Sequence, residues 1–396
     1  MGARMTNQAF IKDLNERRLL SLLRVERRMT RTEIARRLRL TKSTVTTIVD
    51  GMLGQELVAE VQEVDASRVP RRVLGRPGVD ISLCPSGGYF VGAEIAAGEV
   101  RMVLLDMTLQ VWRDDAAALA GGSSPEQAVR HISSFLARCR ADLPTPGRIR
   151  SICVAVPGVV RHDGFIARVP SLDWENVPFL SLAREKLGLP VLVTNDADAA
   201  AFGEVYCHPN DSGELTVYLK LGAACGGAAV IDGRLLRGFN STATEFGHLR
   251  VASGSRRCSC GAQGCLEPIV NTDALAHYAT RARFKDGGEP STLLAAAKRG
   301  NPRAGAALAE YSRALGLGLV SLTNMFNPSL LVIGGDLQPV VAACLSEVRE
   351  IIHAGIVPGM NAPHVRVSRN GAFESAIGAA ALAHQHAFDE TSLGFA

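Results

Sequence analysis

The chain has 396 residues, 47% hydrophobic and 21% charged, with a mean hydropathy of +0.11; this supplies a sizeable core, excludes global disorder and suits two or three domains. No apolar run approaches the ~18 residues of a membrane span, and the N-terminus has no apolar signal segment, so a cytoplasmic chain with no membrane contact is expected. The formal charge of +4 is uneven: residues 1–80 hold 16 basic and 10 acidic side chains (+6) and the remainder sits at −2, as in a basic module fused to a near-neutral body.

Residues 7–60 read as helix, helix, turn, helix. Leu14, Leu19, Leu20, Leu22 and Leu23 give the first helix an apolar side. Thr30 followed by Glu33 has the form of a capping box opening a second helix, which buries Ile34, Ala35 and Leu38. Thr41 is placed to cap a third helix, whose apolar positions Val45, Ile48, Val49, Met52 and Leu53 leave Lys42, Ser43, Thr44, Thr46 and Thr47 on other faces. Short hydroxyl side chains and a lysine at the start of an exposed helix suit insertion into the major groove, with Arg31 as a further DNA contact. Residues 57–64 read as a wing strand. In the basic stretch 68–78, Gly75-Arg76-Pro77 could lay Arg76 in a narrow minor groove; the plainer alternative is a solvated linker. For the head as a whole, the competing reading is a small helical protein-interaction module, which its clustered positive charge disfavours.

From Tyr89 onward the pattern becomes α/β. Strands are expected at 90–95, 100–107, 111–114, 149–156 and 190–193, with helices at 125–139 and from Asn195 to Tyr206. A second lobe begins near 215–221 and includes a long helix at 302–326, a strand at 330–333 ending in Gly334-Gly335, and a last helix from 373 to about 387. The domain plan is therefore a winged helix-turn-helix with its basic linker at 1–80, then a two-lobed body at 81–396. Lobe one takes about 81–205 plus the C-terminal helix, and lobe two about 206–372.

Six of the nine cysteines are scattered singly, while Cys258, Cys260 and Cys265 cluster, with His248 ten residues before the first. Three thiolates and an imidazole form a tetrahedral zinc set with no open position, hence a structural Zn²⁺. Gly261 and Gly264 permit the tight backbone such a loop needs. Reduced thiols in a surface loop are the alternative, and so dense a group would be prone to oxidation. Around this loop lie Asn195, Asp196, Glu245 and Glu267. Carboxylates, an amide and an imidazole converging on one cleft are what several sugar hydroxyls need, since each hydroxyl both donates and accepts. Taken singly, Asp196 could instead cap a helix and Glu267 begin one.

Together these motifs resemble the ROK family of bacterial transcriptional repressors and sugar kinases, over nearly the whole chain. The resemblance rests on the winged head, Gly-Arg-Pro at 75–77, Val-Pro-Gly at 156–158 and Asn-Asp-Ala-Asp-Ala-Ala-Ala-Phe-Gly-Glu at 195–204. It continues through Ile-Asp-Gly-Arg-Leu-Leu-Arg-Gly at 231–238, Glu-Phe-Gly-His at 245–248, the Cys-x-Cys-Gly-x-x-Gly-Cys-Leu-Glu run at 258–267 and Ile-Gly-Gly at 333–335. It implies an actin/hexokinase-like fold closing on a sugar held by Asn195, Asp196, Glu245, His248 and Glu267, and zinc held by His248, Cys258, Cys260 and Cys265. In kinase members the residue matching Asp196 is the general base on the sugar hydroxyl.

Departures from the family pattern separate its two branches. The Asp-x-Gly-Gly-Thr phosphate turn is replaced by Glu94-Ile95-Ala96-Ala97-Gly98. The second phosphate turn, Gly-Thr-Gly-x-Gly, reads Gly222-Ala223-Ala224-Cys225-Gly226-Gly227 and lacks the hydroxyl. Family members often carry Asn-Leu before a Trp, where this chain has Ser171-Leu172-Asp173-Trp174. Loss of both phosphate turns disfavours ATP. The expected molecule is a non-enzymatic, sugar-responsive repressor, a homodimer or pair of dimers on an inverted-repeat duplex operator. The alternatives are an ATP-dependent sugar kinase carrying a DNA-binding head, a zinc-sensing regulator, and a regulator controlled by protein contacts.

Overall fold

The computed structural model describes residues 7–61, 79–120, 122, 124–252 and 256–388. The head comprises α1 (Asn7–Glu26), β1 (Arg28–Thr30), α2 (Arg31–Leu38), α3 (Lys42–Gly54), β2 (Val58–Val61) and β3 (Asp80–Leu83). Thr30 caps α2 with a full capping box: its Oγ1 accepts from the Glu33 N–H at 3.2 Å and its own N–H donates to Glu33 Oε2 at 2.9 Å. The Thr41 hydroxyl accepts from the Thr44 N–H and starts α3. Between the two helices, Arg39 takes a left-handed conformation (φ 56°) and ends α2.

The three helices bury Leu19, Leu23, Ile34, Val45, Val49 and Met52. β3 lies between β1 and β2, antiparallel to both, so the wing belongs to a three-stranded sheet. β1, three residues long, carries too short a pattern to be read from sequence. The strand expected at 57–64 is described as Val58–Val61; residues 62–64 and the whole 68–78 stretch, including Arg76, lie outside the described residues. β3 begins at the expected domain boundary of residue 80 and still pairs within the head.

Lobe one contains β4 (Tyr89–Ala96), β5 (Glu99–Asp106), β6 (Val111–Ala118), α4 (Pro125–Asp142), β7 (Ile149–Val156), a small antiparallel sheet of β8 (Val159–Val160), β9 (Ile166–Val169) and β10 (Trp174–Val177), then α5 (Phe179–Leu187) and β11 (Val191–Asn195). The chain crosses on α6 (Asp196–Cys207). Lobe two contains β12 (Leu215–Leu221), β13 (Cys225–Ile231), β14 (Arg234–Leu235), α7 (Glu267–Val270), α8 (Thr272–Arg281), α9 (Pro290–Lys298), α10 (Pro302–Phe326), β15 (Leu330–Gly334), α11 (Gln338–Gly355) and β16 (His364–Val367). It ends on α12 (Glu374–Phe388).

The two main sheets repeat one plan. Their orders, β6-β5-β4-β7-β11 and β14-β13-β12-β15-β16, each place an antiparallel meander beside two strands joined in parallel. Each lobe's last helix packs across the boundary. α6, which follows β11, lies against β12 and β13, while α12, which follows β16, lies against β4, β5 and β7. The two helices cross where Gly203 meets Gly378; a β-carbon on Gly378 would lie 1.8 Å from the Ala199 carbonyl oxygen, so only glycine permits this approach. The resulting architecture is the two-lobed actin/hexokinase-like plan, in which ligands bind at the carboxyl ends of the parallel strands.

The head is joined to this frame by packing. Its buried cluster is continuous with Phe90, Met107, Phe202 and Leu382. Arg24 of α1 donates to the Tyr206 carbonyl at 2.6 Å, and its guanidinium stacks 3.8 Å from the Tyr206 ring centroid. α6 therefore runs from the cleft at Asn195 to the head at Tyr206.

Candidate functional site

On the head, α3 exposes Lys42, Ser43, Thr46 and Thr47, while Thr44 is half-buried. The hydroxyls of Thr46 and Thr47 donate to the carbonyls of Lys42 and Ser43, which holds their side chains against the helix backbone. Arg31, expected as a DNA contact, is half-buried. It pairs with Asp50 of α3 at 3.1 Å and Glu60 of β2 at 2.8 Å, so its charge is already matched and it braces α2, α3 and the wing.

In lobe two, His248 ends a short 3₁₀ turn that begins at Phe246. The cysteine loop folds back beside it: Val251 N–H donates to the Gly264 carbonyl at 2.8 Å and Leu266 N–H to the Leu249 carbonyl at 2.9 Å. Gly264 (φ 90°) allows this hairpin, and any β-carbon there would lie 2.5 Å from the Ala252 carbonyl oxygen. The fold brings one ligand atom from each of His248, Cys258, Cys260 and Cys265 within 4.8 Å of one another. The Cys260–Cys265 sulfur separation is 3.8 Å and Cys258 Sγ lies 3.4 Å from His248 Nδ1. A tetrahedral ion with ~2.3 Å metal–sulfur and ~2.0 Å metal–nitrogen bonds has edges of about 3.8 and 3.5 Å, so the donor set fits a metal ion of that size. With Nδ1 turned to the cysteines, His248 Nε2 faces Glu245 at 4.0 Å, so one imidazole lies between the cysteine cluster and the cleft.

The cleft is built largely on the start of α6. Asn195 is the cap that the helix requires: its Oδ1 accepts from the N–H groups of Ala197 and Asp198 at 2.8 and 3.1 Å, and its Nδ2 donates to the Gly158 carbonyl at 2.9 Å. The cap role is thus filled by Asn195, and Asp196 stands one residue inside, free to face the lobe boundary. Asn195 and Glu245 line a cleft with Asp198, Gly158, Gly227 and Thr242. Burial raises the Glu245 acid; His248 opposes this, while Glu267 and Asp196 add to it, which places these groups in one electrostatic neighbourhood.

Glu267 does begin a helix, but it is buried and both oxygens are engaged. Oε2 accepts from the Cys225 N–H at 3.2 Å and Oε1 from the Ser259 hydroxyl at 2.8 Å. It thus joins the cysteine loop to β13.

Sequence reasoning did not single out Asp198, Lys220 or Ser375. Burial pushes the Asp198 acid up to about 7, with Arg237 opposing and Asp196 and Glu245 reinforcing. Lys220, from β12, donates to Glu94, to Asp196 Oδ2 at 2.7 Å and to the Ser375 hydroxyl at 2.9 Å. A lysine in the otherwise apolar run Leu215–Leu221 was the only available signal.

The ROK family model matches residues 91–386, and the MarR family model matches residues 13–68. The chain is 28% identical to the xylose repressor of Caldicellulosiruptor bescii, over 88% of this chain and 90% of that protein. It is 30% identical to a glucokinase of Streptomyces coelicolor, over 66% of this chain and 88% of that protein. Among solved structures, a ROK family transcriptional regulator homologous to the Escherichia coli Mlc protein superposes with a TM-score of 0.79 at 24% identity, over 96% of this chain and 98% of that one. A ROK family glucokinase from Streptomyces griseus, in complex with glucose and AMPPNP, gives 0.67 at 28% identity, over 75% and 100%.

Proposed function

The chain belongs to the ROK family, and we propose that it is a sugar-responsive transcriptional repressor in which a winged helix-turn-helix is governed by a sugar in the cleft between two lobes. One observation carries the reading: a single helix, α6, has the cleft residues Asn195 and Asp198 at its start and touches Arg24 of the head near its end. A sugar that binds one lobe arrangement more tightly than another would shift α6 and α12 and, with them, the head.

In this reading α3 enters the major groove, with Lys42, Ser43, Thr46 and Thr47 facing the duplex. Two heads of a homodimer meet half-sites of an inverted repeat. Asn195, Asp196, Glu245 and the Nε2 side of His248 hold the sugar, supported by Asp198 and Glu267. His248, Cys258, Cys260 and Cys265 hold a structural zinc, whose chemistry is to fix the loop that carries His248 and Glu267. Residues 1–83 form the DNA-binding unit and the rest the sugar-binding unit. Among the described residues no helix is long and apolar enough to cross a membrane.

The chain has no phosphoryl-transfer activity in this reading. The turn between β12 and β13 carries no hydroxyl, and Asp196, the candidate base, already holds the Lys220 ammonium. Titration of operator binding by fluorescence anisotropy against a sugar panel that includes D-xylose and D-glucose tests the proposal; the expected result is release by one of them. Insensitivity to every sugar would remove the effector role. Sugar-dependent ADP release that Asp196→Asn abolishes would replace the reading with a kinase.

A further inference from the structure

Lys220 is the one charged residue of β12, and its strand neighbours are Gly226 and Gly334. The side chain belongs to lobe two. Its ammonium ends between Glu94 of β4 and Asp196 of α6, both in lobe one, and beside Ser375 of α12. Only 17% of the Lys220 side chain and 1% of that of Glu94 are exposed, so the contact is shielded from solvent and salt. One ammonium touching both carboxylates places them on the order of 5 Å apart or less, a distance at which two anions repel strongly without a cation.

Resting on the sugar-cleft reading above, we propose that Lys220 is a positioning residue for the sugar and the electrostatic tie between the lobes. It holds Asp196 by Oδ2 between Asn195 and Asp198, which line the cleft. Oδ1, which accepts the Ala197 N–H at 3.0 Å, keeps a lone pair for a sugar hydroxyl. Because the ammonium comes from lobe two and the carboxylates from lobe one, the geometry that presents Asp196 to a hydroxyl is also the geometry that joins the lobes.

The other charged groups around this centre are few. Arg101 of β5 lies 3.6 Å from the second oxygen of Glu94 and is itself shared with Glu99 and Asp336. Glu374, at the start of α12, has its acid pushed up to about 7 by burial, with Lys220 opposing. Asp198 and Glu245 lie beyond Asp196. Removing the lysine therefore leaves acids in excess. In such a variant the folded state takes up a proton more readily than the unfolded chain does, so its stability falls as pH rises. In the unaltered protein, burial alone would lower the lysine's affinity for its proton, but Asp196 and Glu94 raise it, so its contribution is intact throughout pH 5.5–8.

The test uses the full-length protein, Lys220→Met, and the double variant Glu94→Gln/Lys220→Met, which removes one excess charge. Thermal unfolding without sugar should show Lys220→Met melting below the unaltered protein, with the deficit larger at pH 8 than at pH 5.5, and the double variant recovering part of it at pH 8. Calorimetric titration at pH 7.5 with D-xylose and D-glucose should show at least tenfold weaker binding to Lys220→Met of whichever sugar the unaltered protein binds. A melting deficit equal at both pH values and unrelieved by Glu94→Gln would reduce the lysine to packing and overturn the proposal, as would undiminished sugar affinity. If the unaltered protein binds neither sugar, the sugar reading loses its support, and the melting comparison still decides whether Lys220 ties the lobes.

Discussion

Replacing Gly378 by Ala tests whether the crossing of α6 and α12 is the joint on which the cleft depends. The new β-carbon would lie 1.8 Å from the Ala199 carbonyl oxygen, 2.4 Å from its carbon and 3.1 Å from the Ala200 nitrogen. All three are backbone atoms of α6, so no side-chain rotation relieves the overlap, and the helices must separate by about 1.5 Å to restore ordinary contact. The gain in helix propensity, about 1 kcal/mol, is outweighed by overpacking of about 1–3 kcal/mol or more. Asn195 and Asp196 ride at the start of α6, and their bonds to Gly158 (2.9 Å) and Lys220 (2.7 Å) do not survive a displacement of that size.

The control is Gly305→Ala in α10, where a β-carbon meets nothing within 4 Å. There the same substitution should stabilise by roughly 0.5–1 kcal/mol. Differential scanning calorimetry should show the Gly378 variant melting low and the Gly305 variant slightly high, at ~1 °C per kcal/mol for a chain of 396 residues. Affinity for the effector sugar should fall about tenfold or more in the first, a loss of ~1.4 kcal/mol, and remain unchanged in the second. A Gly378→Ala protein that melts at or above the unaltered protein would refute the close-crossing argument.

The other predictions concern separate parts of the molecule. Cys265→Ser should lower bound zinc, measured by plasma mass spectrometry, from about one ion per chain to a small fraction, and should weaken sugar binding because the loop carries His248 and Glu267; full zinc content in the variant would exclude Cys265 as a ligand. Lys42→Ala should weaken binding to operator and unrelated duplex alike and reduce the slope of log affinity against log salt by about 1; an unchanged slope would place Lys42 away from phosphate. His384, buried against Tyr206 and the Met107 carbonyl, has its affinity for a proton lowered to about 3 by burial. The unfolded chain then takes a proton that the folded one refuses, so stability is lost as pH falls from ~6.5 towards 3, by about 1.4 kcal/mol per pH unit. His384→Gln should flatten that part of the acid limb in urea titrations; an equally steep limb would assign it to the carboxylates alone.

What could be read from the sequence follows the range over which each interaction acts. The capping box at Thr30 and the cap at Thr41 are set within four residues, and both helices begin where those residues place them. The apolar run at Ile149–Val156 and the long helix Pro302–Phe326 were legible because burial on both faces, or a sustained helical period, leaves a pattern in consecutive residues. The clustering of Cys258, Cys260 and Cys265 was legible for the same reason, since a short loop containing two glycines has few ways to fold, and His248 lies close enough in sequence to join them. β1, three residues long, left no such pattern, and β16 and α11 were not picked out.

The cleft divides along the same line. Asn195, Asp196 and Glu245 stand at element ends, where polar residues after an apolar run attract attention. Lys220 does not: its partners Glu94 and Ser375 lie 126 and 155 positions away and meet it only because the second sheet repeats the first and the last helices are exchanged between lobes. Spacing rules carry no information at that separation. A cation within an apolar strand nevertheless requires a buried counter-charge, since a lone ammonium is too costly to hold there. The strand Leu215–Leu221 therefore implied an acid across from it, and only the fold could say that it would be a pair, Glu94 and Asp196, at the lobe boundary.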